Sequence, residues 1–125
     1  MANPNIVNVA AIYGENSSVS LTTTSATSLV SNAASSGKVY KLNTIMVANV
    51  DGTNAVDITI NKYSAAALGG SAFAIASTIS VPADATLIVV DKTTAIYLKE
   101  NESIGAIAGT ASKLIVTTSW EEINA

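Results

Sequence analysis

The chain has 125 residues with no Cys, His or Arg, and its six Lys against nine acidic residues leave a net charge of −3. That length makes one domain with a real core, while the missing residue types remove disulfides, thiolate chemistry, the usual zinc ligands, the usual base at neutral pH and the bidentate phosphate fork. Charged residues are only 12% of the chain, with Ser, Thr, Asn and Ala in their place, a surface suited to packing against copies of itself or a larger assembly.

In chain order, Ile6 to Tyr13 reads as a first strand ended by Gly14-Glu15-Asn16, with residues 1–14 an extended arm or edge strand. Val19 to Thr24 alternates Val19, Leu21 and Thr23 against Ser20, Thr22 and Thr24, a strand with one wet face, and Thr27 to Asn32 is a short strand. The segment Lys38 to Tyr63 is the centre of the chain. Its first arm, Val39 to Val50, is apolar on both faces at Ile45 to Val47, so it is expected to be covered on both. Its second arm, Val56 to Lys62, sets Val56, Ile58 and Ile60 against Asp57, Thr59 and Asn61, and Asp51-Gly52 between the arms predicts a tight hairpin turn.

Ser64 to Ser71 is loop-like through Gly69-Gly70. Phe73 to Val81 alternates as a strand closed by Pro82, and Leu87 to Val90 is a continuous apolar run expected to be buried. Asp91 to Thr94 turns the chain into Ala95 to Lys99, with Ile96 and Leu98 inward and Tyr97 outward. Glu100 to Ser103 is a polar turn, Ile104 to Ala108 a short strand, and Leu114 to Trp120 the last strand, after which Glu121 to Ala125 is expected to fray. Nine or ten short strands at this spacing predict an all-β fold, an antiparallel β-sandwich of jelly-roll type.

No chemistry stands out. Asp51-Gly52-Thr53-Asn54 with Asp57 offers oxygen ligands at short spacing, but without the ligand order of a calcium loop it reads as a turn. Glu100 with Glu102, and Glu121 with Glu122, read as solvated charges rather than the facing carboxylates of a glycosidase. No Ser or Thr has a His to activate it, and no phosphate or dinucleotide fingerprint is present, so neither an enzyme nor a cofactor is expected. The N-terminus lacks the basic start of a secretory signal, so the glycosylation patterns at Asn16 and Asn101 are read as chance. No basic patch points to nucleic acid and no apolar run is long enough for a membrane helix.

Among the aromatics, Tyr40 and Phe73 fall on apolar faces and are expected in the core. Tyr63, Tyr97 and Trp120 are the candidates for an exposed platform or a subunit interface. The near-uncharged segment Asn3 to Tyr13 is the candidate clasp, with Asn5, Ile6, Val7, Val9, Ile12 and Tyr13 as its contact residues, because an extended arm can add to a neighbour's sheet.

Three stretches together resemble small virion structural proteins of tailed phages, those of marine cyanobacteria in particular: MANPNIVNVAAIYG; GKVYKLNTIMVANVDGTNAVDITINKY; and the run from Ile79 to Ile123. In such proteins a strand ends in a turn matched here by Leu98, Glu100, Glu102, Ser103 and Ile104, and the last strand closes near Ser119 to Ile123. The resemblance implies a β-sandwich component of the virion. On that basis the expected role is a capsid decoration or cement protein on the outer surface. It would be a homo-oligomer, a trimer foremost, with the major capsid protein or other virion proteins as partners. A neck, tail or fibre-base component is the alternative, and a carbohydrate-binding adsorption module the next.

Overall fold

The computed structural model describes residues 4–125. Among the described residues nine strands form two antiparallel sheets: β1 (Ala11–Ser20), β2 (Thr27–Asn32), β3 (Lys38–Asn49), β4 (Val56–Ala65), β5 (Gly69–Val81), β6 (Thr86–Val90), β7 (Ile96–Leu98), β8 (Glu102–Ala108) and β9 (Leu114–Asn124). The first sheet runs β1-β9-β3-β6, with β7 also on β3, and the second runs β2-β8-β4-β5. Setting β7 aside, β1 pairs β9, β2 pairs β8, β3 pairs β6 and β4 pairs β5. These nested pairs, folded over so that alternate ones fall in opposite sheets, are a jelly roll.

The core follows from period-two alternation. Leu42, Ile45 and Val47 of β3 and Leu114 and Val116 of β9 meet Ile58 and Ile60 of β4 and Ile104, Ala106 and Ala108 of β8. The two apolar faces of β3 have a different origin from the one expected. A register shift between Leu42 and Thr44 inserts Asn43, so Leu42 before it and Ile45 and Val47 after it all face one core.

The central segment is not a hairpin. β3 and β4 lie in different sheets, and Asp51 to Asn54 crosses between them. Gly52 does not adopt the positive φ a primed turn needs. Asn49, the buried last residue of β3, decides the crossing: its amide donates to the carbonyls of Asn54 (3.0 Å) and Val81 (3.0 Å), and its Oδ1 accepts the Asp51 N–H. The Thr53 and Asn54 N–H groups hold the Asp51 carboxyl below its ordinary range, so the suspected ligand oxygen closes a turn. Asn32, the last residue of β2, does the same at the crossover from β2 to β3, donating to the carbonyls of Lys38 and Leu98 and accepting from Ser36 Oγ.

Three further expectations are corrected. β1 runs straight through Gly14-Glu15-Asn16, because a ten-residue ladder with β9 outweighs local turn preference. Ser64 to Ser71 is mostly strand, leaving the turn Ala66 to Leu68 between β4 and β5. The tail does not fray: residues 121–124 belong to β9, which is paired on both sides by β1 and β3.

Candidate functional site

The N-terminal segment folds back on its own sheet. Asn5 makes a turn, accepting the Val7 N–H on Oδ1 (3.0 Å) and the Asn8 N–H on its carbonyl (3.1 Å). The turn leaves Val7 91% exposed at its tip. Val9 is half-buried, and the Ala10 N–H reaches the Asn124 carbonyl as β1 begins. Asn3, the first residue of the candidate clasp, lies outside the described residues.

Beneath this turn, the pairings Ile12↔Ile123 and Val39↔Ile123 set Ile12, Ile123 and Val39 in one cross-strand row on the outer face of the first sheet. In the next row Gly14 pairs Glu121, Glu121 pairs Lys41 and Lys41 pairs Tyr97. Pro4, Ile6, Val39, Tyr97 and Lys99 line a concavity of about 350 Å³. Its walls are apolar apart from Lys99; Ile6 and Tyr97 of the lining are exposed, as are Val7 next to Ile6 and Ile12 in the row that contains Val39. Such a surface can take an apolar side chain from a partner and meet a carboxylate with an ammonium.

The other sequence candidates are separated. Tyr13 projects to the opposite face of β1 from Ile12 and pairs with Glu122. Trp120 is half-buried, its ring 6.1 Å from that of Tyr40. Tyr40 is only partly in the core, and burial together with the Glu122 carboxylate raises its pKa. Tyr63 sits in the second sheet and is buried, under the Ala66 to Leu68 turn. That turn is captured by three side chains: the N–H groups of Ala66, Ala67 and Leu68 donate to Asn101 Oδ1, Ser31 Oγ and Ser103 Oγ. Gly105 makes room for it, since a Cβ there would lie 2.7 Å from Leu68 Cδ2 and 3.1 Å from Tyr63 Cε2. Tyr63, Tyr97 and Trp120 therefore lie on three different surfaces and form no shared sugar platform.

Glu100 and Glu102 hold local structure. Glu102 accepts from Lys62 Nζ (2.8 Å) and the Lys99 N–H (2.9 Å), while Glu100 accepts the Gly37 N–H (3.1 Å). The reading of Glu100 and Glu102 as free solvated charges is corrected on that count. Burial pushes the Glu102 carboxyl up, but the Lys62 and Lys99 contacts outweigh it and leave the pKa lowered. Among the described residues no three acidic side chains gather where they could hold a metal ion.

Sequence reasoning missed Phe73. It was expected in the core and is 59% exposed, on the free edge of the second sheet. The alternation of its strand gave the signal of a face, and nothing local says whether another sheet covers that face.

No family model matches the chain, and no curated protein does. Among solved structures, a protein of Bacillus endospore appendages, described as forming a novel family of disulfide-linked pili, aligns over 100% of this chain and 98% of its own. The identity is 15% and the TM-score 0.49, a likeness that carries no argument about function.

Proposed function

We propose that the chain is a non-enzymatic structural subunit of a phage virion, a decoration protein that coats the capsid as an oligomer and adds contact area between capsomers. The observation that supports this reading most is the N-terminal patch. Ile6 and Tyr97 stand exposed in the lining of one concavity, with Val7 and Ile12 exposed beside Ile6 and in the row of Val39, on a chain with few charges, and exposed apolar surface of this kind marks protein contacts. The resemblance of the three sequence stretches to virion proteins supplies the particle, with the major capsid protein as the expected neighbour. A jelly roll by itself argues no function.

The test is location and dependence on the patch. Gold-labelled antibody on purified particles is expected to decorate the heads. A chain lacking residues 2–9, which keeps all nine strands, is expected to fold and to lose attachment to particles stripped of the native protein. Label confined to neck or tail would replace decoration by an adaptor or fibre-base role, and attachment unchanged by the truncation would remove the patch from the contact.

A further inference from the structure

Among the described residues the second sheet ends in a free edge. There β5 hydrogen-bonds to β4 on one side only, so the outward N–H and C=O groups of a 13-residue strand are left without a strand partner. Edge strands are commonly defended by charge, proline or bulges. β5 has no charge and no proline, and no charged residue occurs from Tyr63 to Ala83. Its defence is irregularity. It carries an extra residue between Gly69 and Ala72, a second between Ala74 and Ala76 and a third between Ala76 and Ile79, with Thr78 at φ 51°. Between the first and second of these bulges Ala72, Phe73 and Ala74 keep a regular register against Tyr63, Lys62 and Asn61. That undefended window has Phe73 at its centre, and Ile79 is exposed further along.

We propose that the Ala72 to Ala74 edge of β5 pairs antiparallel with the same edge of a second copy of this chain, about a two-fold axis close to Phe73. Charge selects the occupant. Two copies of a chain with net charge −3 repel, and they meet at least cost where neither brings a carboxylate. β5 meets that condition. β1, the other long free edge, carries Glu15 and lies beside Glu121 and Glu122 of β9. A two-fold contact also requires a patch that complements itself, as a strand edge with an aromatic near its centre does. The pairing window is short, so the dimer is expected to be weak and concentration-dependent. The inference concerns the isolated chain and does not rest on the virion reading.

Sedimentation over a wide concentration series tests it. The expected result is a monomer–dimer equilibrium whose dissociation constant rises at least about tenfold in Phe73→Glu and in Ala74→Lys. Both variants are checked for native fold by circular dichroism, and Thr110→Glu, in the exposed turn between β8 and β9, leaves the equilibrium unchanged. The chain has no cysteine, so single replacements report the geometry directly. Across an antiparallel pair facing Cα atoms are about 4.5–5.5 Å apart, within disulfide reach, and each step off the axis adds roughly 6.8 Å. Oxidation of Ser71→Cys, Ala72→Cys, Phe73→Cys and Ala74→Cys is expected to give one sharp maximum, with Ser18→Cys on β1 uncrosslinked. A monomer at every concentration, a trimer, or a flat crosslinking profile would overturn the two-fold pairing.

Discussion

β1 and β5 are both long strands on the free edge of a sheet, and they manage that edge in opposite ways. β1 keeps a ten-residue ladder with β9 and no register shift, and it faces solvent with Glu15, Asn16 and Ser18. β5 carries no charge and breaks its own ladder with β4 repeatedly. The first edge is defended by composition and the second by geometry. A composition defence covers the whole strand, whereas a geometric one acts only where the bulges fall. The Ala72 to Ala74 stretch of β5 is left open for that reason.

The largest expected effect separates one glycine on each strand. Gly70 opens β5 at φ 70°, and a Cβ there would meet Ser64 Oγ and lie 3.2 Å from the Ala65 nitrogen. Ser64 Oγ cannot move aside without cost, since it accepts the Ser71 N–H at 2.8 Å. Left-handed backbone costs about 1–2 kcal/mol for a side-chain residue, and overpacking about 1–3 more. Gly70→Val is therefore expected to destabilise the fold by about 2–5 kcal/mol in urea denaturation. Gly14 of β1 has nothing within 4 Å of its would-be Cβ. Gly14→Val is expected to be neutral or slightly stabilising, by less than about 1 kcal/mol, as suits a strand position. Equal costs at the two sites would erase the distinction between the edges.

The ends of the two strands are tied differently, which gives the second test. The last carbonyl of β5, at Val81, is held by the buried amide of Asn49, while the shorter of two side-chain ties on β1 is the exposed contact of Ser18 Oγ with Thr117 Oγ1 at 3.0 Å. Asn49→Ala leaves two carbonyls and the Asp51 N–H without their partner and is expected to cost about 2–4 kcal/mol. Ser18→Ala is expected to stay within about 0.5 kcal/mol. Thermal melting of both variants checks the pair.

Much of this fold was legible from alternation, because alternation is local: the strands at Thr27, Val56, Phe73, Leu87 and Leu114 could be placed from their own residues. Pairing was not legible, because partners are chosen across the chain. Asp51-Gly52 carries a strong hairpin signal, yet the buried Asn49 beside it commits the turn to crossing between sheets. Gly14-Glu15-Asn16 carries a turn signal that the β9 ladder overrides. The N-terminal contact residues were named from their lack of charge, but Val39 and Tyr97 join them only through the pairing of β3 with β9 and β7. Phe73 was misplaced because its exposure depends on how far the opposite sheet extends.

The smallest effect concerns the charges nearest each edge. Lys62, opposite Phe73 in the β4–β5 register, is paired with Glu102, and that pair is more enclosed than Lys38 with Glu122 near β1, where the N···O distance is 3.4 Å. The pKa of Glu102 is lowered on folding, so its stabilising contribution is fully present above the unfolded carboxyl value of about 4.3 and is lost as pH falls through the lower folded value. Glu102→Gln is expected to cost about 1–2 kcal/mol near neutral pH, since Lys62 loses its partner, and to flatten the loss of stability below about pH 4.3. Glu122→Gln, at the more exposed pair, is expected to cost less than about 1 kcal/mol. Urea midpoints measured from neutral pH down to pH 3 read both effects. An unchanged acid slope in Glu102→Gln would move the acid sensitivity to other carboxylates and leave the enclosed pair beside β5 no different from the open one beside β1.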